Sequence, residues 1–354
     1  MPRRVRTLLG AAVVAVVLAV GFVAVDRRPA LDVPVGGPVA APGTLVWASG
    51  TRLQVGDTAY DLDEAPDELV ATRGGLYYLA GSTLHHYADG AFREVGEVGA
   101  RASLVTSADG RWLGFVDAER GPLSLRSGRV AEFTVVDTTT GEVVARDATG
   151  NGARGQDLDA LYAERPPYLL GFEDGAALVQ PALGPPRALD LATGEGRDLT
   201  DAVVPSPPGP GGLPGRVVAA GDLTRFERDD GAGGRSGIGS PDGRRAAWVG
   251  EDVGGQALVF VLEFSEGRDL PRGLTLPRGR FFLRGWLDDT ALVGSVSRPG
   301  GDGGVEQLVR CDVVAGRCAA VPGGRAAAPV LVAPVPSSAS APVPAPVTTT
   351  TASR

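Results

Sequence analysis

One turn, written as an acidic residue followed four positions later by glycine, recurs along the chain and constrains its fold more than any other feature. It stands at Asp137…Gly141, Asp190…Gly194, Glu263…Gly267 and Asp312…Gly316, each time between two short apolar runs. The acid can accept backbone N–H groups across the turn, and glycine is free to take positive φ, so each copy reads as a tight antiparallel hairpin. Counting the Asp89-Gly90 turn as well, Gly90, Gly141, Gly194, Gly267 and Gly316 lie about 50 residues apart except for one wider gap. That gap contains the Pro/Gly loop over residues 201–215, followed by a charged, glycine-rich segment over 216–237.

A second signal precedes the hairpins. Ser240-Pro241-Asp242-Gly243 has Ser, Pro and Gly at the positions a type I turn favours, and Ser107-Ala108-Asp109-Gly110 stands in its place earlier in the chain. Phe115 and Trp248 both fall five residues after the glycine. A third correspondence aligns residues 171–179 with 285–293 without gaps, placing Asp174-Gly175 opposite Asp288-Asp289. Units of about 50 residues with four short strands each predict an all-β propeller of six blades, with seven as the alternative. Either Leu45-Val46-Trp47 or residues 328–333 is expected to complete the last blade.

With its SPDG or SADG turn, short aromatic-bearing strand and DxxTG hairpin, the region from Leu45 to Pro322 resembles the TolB-like and WD-repeat-like propellers, in a bacterial, actinobacterial-like form. The resemblance implies a binding platform and, in fewer cases, an enzyme. The Trp-Asp dipeptide that ends WD-type repeats is missing, and the first blade has neither motif.

The N-terminus sets the expected compartment. Residues 7–25 form an apolar run long enough to cross a bilayer as a helix. Arg3, Arg4 and Arg6 precede it, which predicts the N-terminus inside and the propeller outside the cytoplasmic membrane. Secretion after signal cleavage is the alternative. The expected organisation is an anchor at 1–25, a Pro/Gly/Ala spacer at 26–43, the propeller at 44–322 and a low-complexity, disordered tail at 323–354. A net charge of −8 argues against nucleic acid as a partner. All basic residues are arginine, so no phosphate-binding loop of the GxxxxGK type exists.

Cys311 and Cys318, the only cysteines, align with Val136 and Val143 of another hairpin. They are expected to face each other across two strands and to form a disulfide in an oxidising exterior. His85 and His86, the only histidines, are adjacent in a strand and so point to opposite faces, which leaves zinc without a ligand set. No GxSxG elbow accompanies them. Asp229-Asp230 and Asp288-Asp289 read as turn or loop acids, and Trp47, Trp112, Trp248 and Trp286 as blade core. Gly150-Asn151-Gly152-Ala153-Arg154-Gly155 matches GxGxxG but follows a hairpin strand, so it reads as an inter-blade loop.

Asp109, Gly110, Asp137, Gly141, Asp174, Gly175, Asp190, Gly194, Asp242, Gly243, Glu263, Gly267, Asp312 and Gly316 are accordingly assigned to shaping blades. No catalytic residue, metal or cofactor is expected. The predicted function is an exported, membrane-anchored binding or scaffolding module for an envelope protein, peptide or glycan. The alternative is a propeller-type hydrolase or lyase using inner-rim carboxylates such as Asp174 or Asp288.

Overall fold

The computed structural model describes residues 31–41, 43–99, 102–107, 109–124, 126, 128–199, 238–240, 245–251, 257–263, 272–297, 305–327 and 331–334. The expected anchor at 7–25, Asp229-Asp230, Asp242, Gly243 and Gly267 lie outside these residues, as does the side chain of Glu263. Among the described residues no helix is long and apolar enough to cross a membrane.

The described residues form six four-stranded antiparallel sheets. Blade 1 combines β1 (Leu45–Ser49), β2 (Arg52–Val55) and β3 (Thr58–Asp61) with β24 (Leu331–Pro334). Blade 2 is β4 (Glu68–Thr72), β5 (Gly75–Ala80), β6 (Thr83–Ala88) and β7 (Ala91–Glu97). Blade 3 is β8 (Leu104–Thr106), β9 (Trp112–Asp117), β10 (Glu132–Asp137) and β11 (Glu142–Asp147). Blade 4 holds β12 (Tyr168–Glu173), β13 (Ala176–Gln180), β14 (Arg187–Asp190) and β15 (Gly196–Asp198). Blade 5 holds β16 (Ile238–Gly239), β17 (Arg245–Glu251), β18 (Ala257–Glu263) and β19 (Arg272–Leu274). Blade 6 holds β20 (Arg280–Asp288), β21 (Ala291–Ser297), β22 (Val305–Asp312) and β23 (Arg317–Ala327).

In every blade the strands lie side by side from inside to outside as a, b, c and d. The inner strands meet their neighbours along β20–β24–β4–β8–β12, and β16 meets β20. Burial is deepest in the middle strands: all of β5 and β10 is buried, whereas the outermost β15 is exposed throughout. Sheets sandwiched between neighbours bury both faces, so middle strands such as β5 and β21 are buried continuously instead of on alternate residues. The core is accordingly divided between blades. Val46, Leu53, Leu69, Leu76 and Tyr78 pack between blades 1 and 2, and Phe133, Val135, Leu169 and Val179 between blades 3 and 4. Trp286 lies in the core shared by blades 5 and 6, and Trp47 in the core of blades 6 and 1.

The ring closes within blade 1. Leu45 and Ala48 of β1 stand opposite Pro334 and Leu331 of β24, so the two expected closing segments pair with each other. The ring thus extends past the expected boundary at 322, because β23 continues to Ala327 and β24 follows it. The Pro/Ala/Val composition of this stretch suggested a tail without structure. A four-residue inner strand with Pro at its end needs no larger apolar set.

Residues 33–41, inside the expected spacer, carry no regular secondary structure, but Val33 is buried and Val39 and Ala40 pack against the core between blades 1 and 2.

Candidate functional site

A propeller has two faces. Here one bears the a–b and c–d hairpins and is called the turn face; the other bears the b–c and d–a connections and is called the loop face. The residues singled out by sequence divide between them unequally.

The acid-to-glycine hairpins at Asp137, Asp190 and Asp312 lie on the turn face. Asp137 Oδ1 accepts the Thr139 N–H at 2.9 Å and the Thr139 hydroxyl at 2.6 Å, while the Gly141 N–H donates to the Asp137 carbonyl at 2.8 Å. Asp190 repeats this with Ala192 and Thr193, each N–H at 2.9 Å, and with Gly194. Asp312 takes the N–H groups of Val314 at 2.9 Å and Ala315 at 2.7 Å. Gly141, Gly194 and Gly316 have φ of 75°, 74° and 67°, a region open to glycine at little cost. Burial pushes the Asp137 carboxyl up, but bonds from Thr139 and Arg111 outweigh it and hold the group below the usual carboxylate range.

The SADG turn is bonded as its repeat predicts. Ser107 Oγ accepts the Trp112 N–H at 2.9 Å and donates to Asp109 Oδ1 at 2.7 Å. In blade 5, Ser240 Oγ accepts the Arg245 N–H at 2.9 Å, the same bond in the same register. Arginines then link neighbouring turns: Arg73 Nε donates to the Asp109 carbonyl at 2.7 Å, and Arg245 Nη1 to the Asp289 carbonyl at 2.7 Å. Asp174 adopts φ of 45° at the a–b turn of blade 4 and Gly175 follows at 77°. Asp288 Oδ1 accepts the N–H and hydroxyl of Thr290, both at 2.8 Å. Asp174 and Asp288 therefore end inner strands at turn-face hairpins. Cys311 and Cys318 are register partners on β22 and β23, as Val136 and Val143 are on β10 and β11, and the cysteines are bonded.

His85 and His86 do part to opposite faces. His85 stacks on Tyr78 at 4.8 Å between centroids, and His86 packs on Tyr77 at 4.6 Å with its Nε2 2.8 Å from the Gly74 carbonyl oxygen. Burial holds both imidazoles below their ordinary pKa.

The loop face carries residues that sequence reasoning missed. Asn151, within the GxGxxG match, is fully buried and joins two blades: Nδ2 donates to the Ala131 carbonyl at 2.9 Å, and Oδ1 accepts the Ala182 N–H at 3.2 Å. Tyr162 completes the clamp, its hydroxyl donating to the Asn151 carbonyl at 2.6 Å and accepting the Ala131 N–H at 2.8 Å. Tyr162 sits on α1 (Leu158–Glu164), whose N-cap Asp157 accepts the Ala160 N–H. An Asp before Leu158, Leu161 and Tyr162 at helical spacing was the available signal. Beside this clamp, the buried Asp117 pairs with Arg120 at 3.0 Å and the buried Glu132 with the exposed Arg146, a balanced set of charges.

The candidate site is the mouth of the ring on the loop face, where the inner strands begin. Their first residues, in ring order from blade 2, are Glu68, Leu104, Tyr168, Ile238, Arg280 and Leu331. Polar residues thus stand first on the inner strands of blades 2, 4 and 6. Glu68 Oε2 accepts the Leu104 N–H at 2.5 Å, linking the inner strands of blades 2 and 3. Burial raises its pKa to about 7; the Leu104 bond opposes this shift and Asp67 adds to it. Burial likewise raises the Tyr168 phenol. Arg280 is exposed and stacks over Phe282 at 5.0 Å. Deeper in blade 6, Arg284 is held by both oxygens of Glu306 at 2.9 and 3.2 Å. A carboxyl raised to about 7, a phenol and a guanidinium thus stand at the starts of the inner strands of alternate blades.

No family model matches this chain, and no curated protein does. Among solved structures, TolB from Acinetobacter baumannii is 14% identical with a TM-score of 0.40, over 82% of this chain and 65% of that one. A putative TolB from Agrobacterium tumefaciens is 12% identical at 0.36, over 79% and 89%. A putative 6-phosphogluconolactonase from Bacteroides uniformis is 12% identical at 0.43, over 82% and 99%. The chain thus spans less than two thirds of the Acinetobacter TolB. At such identities and scores the likeness carries no functional weight, and the propeller rests on its six sheets and their closure.

Proposed function

We propose that this chain is an exported β-propeller, anchored in the cytoplasmic membrane through residues 7–25, that binds or scaffolds an envelope protein, peptide or glycan at the loop-face mouth. The observations that carry this reading are the partly buried Glu68, bonded to the Leu104 N–H of the next blade, and Tyr168 and Arg280 at the starts of the inner strands of blades 4 and 6. The conspicuous acids of the turn face, by contrast, already bond their own hairpins. A mixed set of one acid, one phenol and one base suits a polar, hydrogen-bonding ligand. Affinity capture from solubilised membranes tests the proposal against two controls, the anchor alone and the Glu68→Gln/Arg280→Gln protein. A partner that depends on both side chains supports it; equal recovery on the double variant overturns it.

A second reading is favoured by one observation, the buried Glu68 carboxyl with a pKa of about 7, which is where a general acid or base works best at neutral pH. A hydrolase of this kind would use Glu68 in place of Asp174 or Asp288. An esterase, lactonase and glycosidase screen decides it, with activity lost in Glu68→Gln as the required result.

A further inference from the structure

Both ends of the ring-forming chain lie on the turn face. At the C-terminal end, β24 starts with Leu331 at the loop face and reaches Pro334 opposite Leu45, where β1 starts. The Gly56 N–H, in the c–d turn of blade 1, donates to the Leu45 carbonyl at 3.1 Å and confirms which face this is. At the N-terminal end, residues 33–40 run as a strap along the same face. A Cβ on Gly141, in the c–d turn of blade 3, would stand 2.6 Å from the Val33 carbonyl oxygen. The Tyr77 hydroxyl of blade 2 donates to the Pro34 carbonyl at 3.5 Å. Gly36 lies so close to blade 2 that a Cβ would stand 2.5 Å from Ala88 Cβ and 2.7 Å from the Gly74 carbonyl oxygen. Val39 and Ala40 then reach the core between blades 1 and 2.

The strap is suited to this task by its sequence. Val33-Pro34-Val35-Gly36-Gly37-Pro38-Val39-Ala40 has no charged residue, so its seating is indifferent to salt, and its two prolines hold an extended backbone. Glycine at 36 and 141 admits the close approach.

We infer that the turn face is the tethered face of the ring and that the loop face, with Glu68, Tyr168 and Arg280 at its mouth, is the one turned toward partners. The inference rests on the anchoring of residues 7–25 proposed above. It adds an orientation and a limit of reach. The eight residues from Val25 to Val33 extend at most about 29 Å, whereas an undocked chain from Val25 to Leu45 would extend about 72 Å. The loop face stands farther off by the height of a blade, about 20 Å for a six-residue strand such as β5.

The test uses the full chain reconstituted into vesicles that carry an acceptor dye on their lipid headgroups. One protein carries Asp57→Cys, an exposed position in a turn-face hairpin, and another carries Leu123→Cys, half exposed on the loop face. Each is labelled with a donor dye without reductant, so that Cys311 and Cys318 stay bonded. Higher transfer from position 57 than from position 123 is the expected result. Equal or reversed transfer in protein that floats with the vesicles overturns the orientation while leaving the anchor standing. Protein that fails to float removes the anchor, and the orientation falls with it. Gly36→Val in both backgrounds displaces the strap and is expected to shrink the difference; an undiminished difference overturns the strap as the orienting element.

Discussion

Replacing Asn151 by alanine removes two of the side-chain bonds that join blades 3 and 4 on the loop face. The partners left behind, the Ala131 carbonyl and the Ala182 N–H, are both buried backbone groups. A buried group without a partner costs about 1–3 kcal/mol, so the pair predicts a loss of about 2–6 kcal/mol. That is a large share of the about 5–15 kcal/mol that stabilises an ordinary domain. Urea denaturation should show a lower midpoint with little change in slope, and hydrogen exchange should show the Ala182 amide losing protection before the turn-face hairpins do. Tyr162→Phe removes the hydroxyl that bonds the Asn151 carbonyl and the Ala131 N–H, so it should weaken the same junction by a similar amount. Because the two residues share one network, the double variant should fall short of the sum. A loss below about 1 kcal/mol in Asn151→Ala, with Ala182 still protected, would refute the reasoning, since it would mean that neither backbone group depends on that side chain.

Glu68 makes stability depend on pH with a definite sign. Its folded pKa of about 7 lies above the ordinary value of 4.5, so its contribution is complete below about pH 4.5 and is lost as pH rises through about 7. Glu68→Gln stays neutral and should lack this dependence, the difference between the proteins amounting to on the order of 3 kcal/mol across that window by denaturation midpoint. Replacing Cys311 and Cys318 by alanine opens a short loop and should cost about 2–3 kcal/mol, read as a lower midpoint under non-reducing conditions; an unchanged midpoint would contradict it. Gly141→Ala meets both a φ of 75° and the Val33 carbonyl, so limited proteolysis should cut the strap faster than in the parent while the ring resists.

Much of the fold was legible because its signals are local. A hairpin such as Asp137 to Gly141 bonds within five residues, so spacing alone reveals it, and copies of it reveal the blade period. The cysteine pairing followed from the same register. The mouth was not legible, because what distinguishes Glu68 is contact with Leu104 on another blade and burial by the assembled ring. In sequence it is one more acid in the run Asp61, Asp63, Glu64, Asp67, Glu68. Asn151 was hidden in a similar way, since its glycine-rich setting reads as a plain inter-blade loop and nothing nearby announces Ala182 as its partner. The strap was concealed by composition: Pro, Gly and Ala suggest a spacer, yet the same residues allow a backbone to lie flat against another.

The pairing of β24 with β1 bears on how the molecule is made. A chain that emerges N-terminus first delivers β1 early but its inner partner only after the strands of blades 2 to 6, so blade 1 waits with an unpaired edge while the other five are assembled. During that interval the exposed ladder of β1 is open to pairing with any passing strand. Only when residues 331–334 arrive does the circle lose its seam, which makes their emergence, and not the folding of any single blade, the event that protects the newborn protein from its neighbours.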